Sequence, residues 1–393
     1  MKAVTFPRGF RASGIACGLK ESGKPDLALI VSDGHASVAG MFTQNSVVAA
    51  PVTLSRSVVT GGSARATVVN SGNANACTGA QGDADAREMA ALTAAELGCE
   101  VGDVLVASTG IIGRPLAMER LRTGIPLAAA ALSADGGEDA SNAIRTTDAY
   151  PKTGEETVAL AGGDVRLGAM AKGAGMIRPD MATMICQVTS DVAIDSARLQ
   201  RLLVPAVQRS FNRISVDGSA STNDSVFVLA NGASGVTATE ADDEAFGSAL
   251  ERLLLRLAKL VVSDGEGSSR IARYEVFGAL DAPQAEVAVR AIAENQLVRC
   301  ALHGADPNWG RMLMALGAST ADVAPDRIDL WIDEVQLVAS GAGIDGAEDD
   351  AREALAAPEV SVRIGLGQGD GTAIVYASDL SPEYVRINSE YST

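Results

Sequence analysis

Apolar and polar positions follow two different patterns along the chain. In about the first 165 residues, short apolar runs between Gly, Asn and Ser predict strands at 27–31, 38–42, 66–69, 104–107 and 165–170. Helical spacing predicts helices at 83–97 and 126–132, the second beginning with Pro126. Beyond residue 191, longer helices predicted at 196–207, 241–262 and 284–294 separate short strands within 327–338 and at 360–366 and 372–377. The mixture predicts an α+β fold, with antiparallel sheets covered by helices.

A Gly-rich turn stands before one more alternating strand, predicted at 183–189 and paired with the strand at 165–170. The turn runs KGAGMIRPDMATMI from Lys172 and puts Thr183 after the small residue Ala182. A threonine hydroxyl needs a base beside it to act as a nucleophile, and its own α-amine can be that base. That amine exists only if the Ala182–Thr183 bond is cut, so the turn predicts self-cleavage into two chains.

Composition limits the classes of protein that fit. With 393 residues, 47% hydrophobic content and a mean hydropathy of +0.15, the chain can bury a large core in two or three domains. A net charge of -17 argues against nucleic acid or an anionic membrane as partner. No apolar run approaches the roughly 18 residues of a membrane span. The five scattered cysteines form no CxxC pair and indicate reduced thiols, so we expect a cytoplasmic protein.

Histidine is scarce, since only His35 and His303 occur. A surface position fits His35, and a structural hydrogen-bonding role fits His303 better than catalysis. Two histidines are too few for most His-rich metal sites and leave few candidates for a Ser-His-Asp triad. The scarcity favours the new α-amine as the base. We expect no metal and no cofactor.

Several polar clusters combine glycines with groups that stabilise charge. Thr109 and Gly110 follow an apolar strand, where a turn can aim hydroxyl and N–H groups at an oxyanion. Taken alone, this pattern is better explained by an ordinary strand-to-turn junction. Three asparagines within 70–75 predict a buried amide network or a tight turn.

Weaker signals come from loops and from the end of the sequence. Thr146 and Thr147 lie in a hydroxyl-rich loop, Glu266 lies between two glycines, and Asn388 and Thr393 are polar positions near the end. Solvated loops and a frayed terminus are the alternatives. Taken together, a nucleophile, the Lys172 cation, oxyanion donors and an acid are the groups that an acyl-transfer site needs.

These motifs resemble those of the ornithine acetyltransferase family, the glutamate N-acetyltransferases of the cyclic arginine pathway, often called ArgJ. The matching segments cover essentially the whole chain in order: GF at 9–10, DLALIVSD, NSGNANACTG, ASTGIIGR, TTDAYPK, KGAGMIRPDMATM, SFNRISVDGSASTND, SDGEG, GADPNWGR and VRINSEYST. The resemblance implies a layered α/β sandwich that cleaves itself between Ala182 and Thr183, giving chains 1–182 and 183–393.

The resemblance also implies roles for individual residues. Thr183 would be the nucleophile that accepts the acetyl group, and Thr109 and Gly110 would form the oxyanion hole. The implied substrate contacts are Thr146 (in preference to Thr147), Lys172, Thr183, Glu266, Asn388 and Thr393. Our hypotheses are that Lys172 binds the shared α-carboxylate and that Glu266 binds an ornithine ammonium.

The implied reaction is a ping-pong transfer of acetyl from N2-acetyl-L-ornithine to L-glutamate in arginine biosynthesis. Whether acetyl-CoA also serves as donor stays open, and the resemblance suggests an α2β2 assembly of cleaved chains. Two other functions are compatible with the residues: an N-terminal-nucleophile amidase or aminopeptidase, and an uncleaved binding or scaffold protein. A related acetyltransferase in a secondary-metabolite pathway is a further alternative, because Ala174, Asp180 and Ser219 differ from the Ser, Asn and Asp usual in the family.

Overall fold

A computed structural model describes residues 1–178 and 184–390 of the chain, which divide into two compact units. The first unit contains Met1–Asn212 and Ser219–Val261. The second contains Arg213–Gly218 and the described chain from Val262 onward. This division differs from the predicted cleavage products 1–182 and 183–393, which concern a covalent bond and stay a prediction.

Strands and helices alternate irregularly along the sequence. The strands in chain order are β1 (Phe10–Ile15), β2 (Leu27–Phe42), β3 (Ser63–Asn73), β4 (Val104–Ile111), β5 (Lys152–Leu160), β6 (Gly163–Lys172), β7 (Ile185–Ser190), β8 (Ile214–Ser215), β9 (Ser225–Ala230), β10 (Ile271–Ala279), β11 (Asp329–Ile332), β12 (Val335–Ala339), β13 (Ala342–Gly343), β14 (Glu359–Gly365) and β15 (Gly371–Ser378). The α-helices are α1 (Ala50–Gly61), α2 (Gly79–Leu97), α3 (Met118–Ala130), α4 (Gly137–Ala143), α5 (Ser196–Gln208), α6 (Asp243–Ser263), α7 (Ala282–Ala293), α8 (Gln296–His303), α9 (Trp309–Gly317), α10 (Ala347–Ala354) and α11 (Pro382–Glu390).

The first unit is built on a mixed sheet with the strand order β4-β3-β2-β9-β7-β6-β5, to which β1 adds by pairing with β2. Most neighbouring strands are antiparallel, but β3 and β4 run parallel, as do β7 and β9. The predicted pairing of the strands on either side of the Gly-rich turn is confirmed, because β6 and β7 are antiparallel neighbours with Lys172 opposite Ile185.

Alternation along β2 explains how helices cover both faces of this sheet. Leu27, Leu29 and Val31 pack in one cluster with Met89 of α2 and Leu121 of α3, whereas their neighbours in sequence pack in a separate cluster on the other face. The two strands predicted at 27–31 and 38–42 are one continuous strand. Its exposed middle interrupts the apolar pattern, and the register with β3 shifts there.

The second unit contains a mixed sheet in the order β13-β12-β11-β14-β10-β15-β8. Its core combines alternate residues of the central strands, such as Tyr274, Val362 and Val375, with the apolar positions of α7, including Val289 and Ile292. The predicted α+β fold is confirmed, with the correction that parallel strand pairs occur in both sheets.

Most helix predictions hold within a few residues, and one does not. The helix predicted to begin at Pro126 is the C-terminal part of α3, which begins at Met118 and carries Pro126 in its interior. Proline is favoured in the first turn but is not excluded later in a helix, so the residue type alone misplaced the boundary.

Among residues 1–178 and 184–390, no helix combines the length and the apolar content that crossing a bilayer would require.

Candidate active site

The ends of two parallel strands in the first unit carry the predicted oxyanion residues. Thr109 and Gly110 lie on β4, opposite Ser71 and Gly72 of β3. Thr109 is 4% exposed, although a threonine next to a turn is commonly accessible to solvent. The polar end of β4 is therefore enclosed by protein.

Gly110 is fixed by a close approach between the two strands. Its φ is +130°, and a Cβ atom there would lie 2.4 Å from the carbonyl carbon of Gly72. Any side chain would force the strands apart. The close approach of β3 and β4 therefore requires glycine at this position, independently of any role in binding a ligand.

A buried amide network supports the same strand end, as the asparagine cluster predicted. The Ser108 hydroxyl donates to Asn70 Oδ1 at 2.5 Å, and Asn70 Nδ2 donates to the Asn73 carbonyl at 2.9 Å. Asn70 and Asn75 are both shielded from solvent, and Asn75 Nδ2 donates to the Gly82 carbonyl. These contacts hold β4 rigidly before Thr109.

Lys172, at the end of β6, comes close to Thr109. The Lys172 ammonium lies 3.4 Å from the Thr109 hydroxyl, at the long end of hydrogen-bonding distance, and the lysine is almost completely buried. The structure therefore brings together a predicted substrate contact and a predicted oxyanion residue.

Asp148 organises this side of the site. Its Oδ1 atom accepts from Lys152 Nζ and from the backbone N–H of Gly173, both at 2.7 Å. Its Oδ2 atom accepts from the backbone N–H of Thr146 at 2.9 Å and lies 4.0 Å from Lys172 Nζ. One carboxylate thus joins the loop that carries Thr146 to the end of β6.

The electrostatics of this cluster favour a charged Asp148. Burial alone would raise the pKa of its carboxyl, but the charges of Lys172 and Lys152, together with hydrogen bonds from Lys152 and Gly173, hold that pKa well below its ordinary value. The attraction between this carboxylate and the neighbouring ammonium groups is stronger in a buried site than in water, because the dielectric constant there is lower. Thr146 and Thr147 are both half-buried, and the contact to Asp148 runs through the Thr146 backbone.

Glu266 and Asn388 meet in the second unit. Asn388 Nδ2 donates to Glu266 Oε2 at 2.8 Å, and Glu266 is mostly buried although it lies in a Gly-rich turn. Gly267 has a φ of +70°, and a Cβ there would lie 2.6 Å from the Tyr384 nitrogen. The flanking glycine therefore makes room for the start of α11.

His303 has the structural role that its sequence context predicted. Its Nδ1 atom lies 2.8 Å from Asp379 Oδ2, and the Ser269 hydroxyl donates to the same oxygen at 2.6 Å. The histidine of a catalytic triad contacts serine and aspartate through different ring nitrogens, whereas here Ser269 and Asp379 both approach Nδ1 of His303.

Four predicted positions lie outside the described residues: Ala182, Thr183, Asp180 and Thr393. Their roles stay predictions. The described residues that border the predicted cleavage bond are Arg178 on one side and Met184 on the other.

Sequence reasoning missed two buried acids near these strands. The sequence around Asp148 could have pointed to it, because this acid follows two threonines and precedes Lys152 by four residues. Asp224 is the last residue of the family segment SFNRISVDGSASTND, but nothing in that segment pointed to a role for it. Asp224 Oδ1 accepts the backbone N–H of Met184 at 2.8 Å.

A buried threonine at a strand end beside a buried lysine, on a sheet of an α+β fold, fits the predicted class of acyltransferases. The chain belongs to the ArgJ family, whose model matches residues 11–393.

Individual relatives agree with this assignment. The arginine biosynthesis bifunctional protein ArgJ of Symbiobacterium thermophilum is 46% identical over 99% of this chain and 98% of its own. The protein of the same name from Geobacter sulfurreducens is 46% identical over 98% and 99%. A chain in the crystal structure of the Bacillus halodurans ArgJ protein is 36% identical, with a TM-score of 0.50, over 52% of this chain and 97% of that chain. The predicted family is confirmed, and with it the class, a transferase of arginine biosynthesis.

Proposed function

We propose that this chain cleaves itself between Ala182 and Thr183 and then transfers acetyl from N2-acetyl-L-ornithine to L-glutamate through an acetylated Thr183. One observation carries the proposal: within a chain of this family, the buried Lys172 lies 3.4 Å from the Thr109 hydroxyl at the start of the segment that leads to Thr183. This contact supports the proposal because it brings the cation on β6 to the proposed oxyanion residue on β4 within one sheet.

Self-cleavage would begin with attack of the Thr183 hydroxyl on the Ala182 carbonyl. The new C–O bond forms, the C–N bond to Thr183 breaks, and water then hydrolyses the ester. The solved Bacillus halodurans chain supports this step, because it is matched over 97% of its length yet covers only 52% of the present chain. A chain about half as long is what cleavage near residue 182 would give.

The freed α-amine would then serve as the base. Its unperturbed pKa is roughly 7.7–8.0, so a useful fraction is neutral near pH 7. Acetylornithine acylates Thr183, ornithine leaves, and the amine of glutamate takes the acetyl group. Thr109 and Gly110 would stabilise the oxyanion of both tetrahedral intermediates, and one such donor is typically worth about 10²–10³ in rate.

Both amino acids share an α-carboxylate, which suits the buried ammonium of Lys172. Thr146 is the proposed neighbouring contact, since Asp148 fixes its backbone. Glu266 would bind the ammonium of ornithine, with Asn388 holding the carboxylate through its 2.8 Å hydrogen bond. Thr393 completes the set of proposed contacts.

Three further features belong to the same proposal. Acetyl-CoA would be a second acetyl donor to glutamate, and the relatives' name, bifunctional protein, is compatible with a second activity. The cleaved chains would assemble as α2β2. The enzyme would act in the cytoplasm, which suits the five free thiols.

A denaturing gel and an assay with and without glutamate test the proposal. The wild-type chain should give two bands in place of one at 40.1 kDa, and Thr183→Ala should remain full length without transferase activity. A single wild-type band, or cleavage of Thr183→Ala, would remove the self-cleavage step. Acetate released from acetylornithine at the same rate with or without glutamate would make the protein an amidase.

A further inference from the structure

Two neighbouring side chains contact both strands that carry the proposed chemistry. Asn223 Nδ2 donates to the carbonyl of Ser108 at 2.9 Å and to that of Ala74 at 2.6 Å, so it holds the chain just before Thr109. Asp224 holds Met184, the first described residue after the proposed cleavage bond, through the 2.8 Å contact to its N–H. Residues 223–224 therefore fix the oxyanion strand and the nucleophile strand relative to each other.

Asp224 is unusual for a structural residue. Its side chain is fully buried, and its second oxygen, Oδ2, has no hydrogen-bond partner within the described structure. Buried polar atoms are nearly always paired, so an unpaired carboxyl oxygen at this place needs an explanation. Accepting the Met184 N–H explains the position of Oδ1 but gives no reason for the buried, unpaired Oδ2.

The surroundings of Asp224 favour its neutral form. Burial raises the pKa of this carboxyl well above its ordinary value, although the Met184 N–H, the charge of Lys172 and the Thr43 hydroxyl act in the opposite direction. The group therefore retains a proton at a pH where an exposed aspartate has lost it.

The proposed cleavage needs a proton at one particular atom. As the bond from the Ala182 carbonyl breaks, the Thr183 nitrogen gains a proton and the Thr183 hydroxyl loses one. Thr183 directly precedes Met184 in the sequence, and Asp224 accepts the Met184 N–H. A neutral carboxyl can give its proton to the nitrogen and take the hydroxyl proton, so the group is regenerated and the amine is left neutral.

We propose that Asp224 serves the self-cleavage step, holding the Met184 peptide with one oxygen and exchanging a proton with the Thr183 nitrogen through the other. The inference rests on the proposed function, because it assigns a residue to the cleavage that the transfer requires.

Asp224→Asn separates this role from a structural one. The amide is nearly the same shape and keeps an oxygen that accepts the Met184 N–H, but it has no acidic proton. The matched control is Asp191→Asn, since Asp191 is equally buried and accepts the backbone N–H groups of Arg8 and Arg166 at the opposite end of β7, about 20 Å away.

We expect Asp224→Asn to cleave at least tenfold more slowly than wild type, within the roughly 10²–10⁴ typical of acid–base groups, whereas Asp191→Asn cleaves normally. The wild-type rate should fall as pH rises through the titration of Asp224, and Asp224→Asn should lack that fall. Cleavage of Asp224→Asn at the wild-type rate with the wild-type pH profile would overturn the proposal.

A second variant keeps the test decisive if Asp224→Asn does not fold. The Thr43 hydroxyl donates its proton to the Ser221 carbonyl at 2.6 Å and leaves Oδ2 unpaired, yet it lowers the pKa of Asp224. Thr43→Val removes that hydroxyl, so the falling limb of the cleavage profile should move to higher pH. An unmoved limb in folded Thr43→Val would count against the proposal. A wild-type chain that never cleaves would refute the proposed function instead, which distinguishes the two failures.

Discussion

Lys152 and Lys172 share the Asp148 carboxylate, and all three side chains are shielded from water. Removing one member of a buried ion cluster typically costs about 3–5 kcal/mol. Without Asp148, Lys152 and Lys172 would each lose a buried carboxylate contact, and Lys172 is the proposed carboxylate-binding residue. Asp148 therefore contributes both to the stability and to the charge of the site.

Asp148→Asn should therefore lose stability and activity together. We expect the free energy of unfolding in urea to fall by about 3 kcal/mol or more, and kcat/KM for acetylornithine to fall at least tenfold because Lys172 is displaced or loses its proton. Asp191→Asn, the buried acid at the other end of β7, should keep kcat/KM. Equal kcat/KM in Asp148→Asn and wild type would show that Asp148 does not support Lys172.

The pH dependence of this effect has a definite sign. The pKa of Asp148 is lower in the folded protein than its ordinary value of 3.8, so its contribution to stability is complete above that value and is lost as pH falls below it. The difference in unfolding free energy between wild type and Asp148→Asn should thus be constant from pH 5 to 7 and shrink in more acidic buffer. A difference that grew on acidification would contradict the assignment.

At the level of elements, the pair β3–β4 depends on glycine at one contact. Gly110→Ala should destabilise the protein and slow transfer, because the added methyl would lie 2.4 Å from the Gly72 carbonyl carbon. Overpacking of this kind costs about 1–3 kcal/mol. Gly113→Ala is the control, since Gly113 also has a positive φ, of +82°, but nothing lies within 4 Å of its Cβ position. Thermal unfolding and transferase assays of both variants measure the difference, and equal effects would mean that backbone strain alone matters.

The same elements show what the sequence could reveal. Short apolar runs located β3, β4 and β6, and the apolar segment after the Gly-rich turn located β7, because most residues of these strands are buried. Helical spacing located α2, α5, α6 and α7, because each buries one regular face. The two-residue strands β8 and β13 were missed, since two residues carry no period, and the longer β5, β9, β10 and α1 were not predicted either. The middle of β2 resembled a loop in the sequence, because its residues are exposed where the pairing with β3 becomes irregular.

Site residues could be predicted where they stand in motifs that resemble those of the family. Contacts between segments distant in the sequence could not be predicted. Thr109, Gly110 and Lys172 stand in such motifs. The contact of Asp224 with Met184 spans forty positions in sequence, and only the parallel pairing of β7 with β9 brings the two together. No local pattern encodes a contact of that kind.

At the scale of the whole molecule, the proposed cleavage would cut the chain but not the sheet. The strands β1 to β6 precede Ala182, whereas β7 and β9 follow Thr183, yet all belong to the sheet of the first unit. β7 pairs with β6 along its whole length, and β9 pairs with β2 from Ser225 to Ala230. Both faces of β9 are buried, so the two products would share one hydrophobic core.

The cleaved products should therefore stay together as one particle in native buffer. Separating them would expose the fully buried strands β7 and β9 and break their ladders to β6 and β2, and each apolar Å² uncovered costs about 25 cal/mol. Size-exclusion chromatography of the cleaved enzyme should give one peak containing both chains, with Thr183→Ala eluting at the same volume. In denaturing urea the cleaved enzyme should separate into two chains while Thr183→Ala remains one. Two native peaks with one chain in each would mean that the strands on either side of Thr183 do not form a single sheet after cleavage.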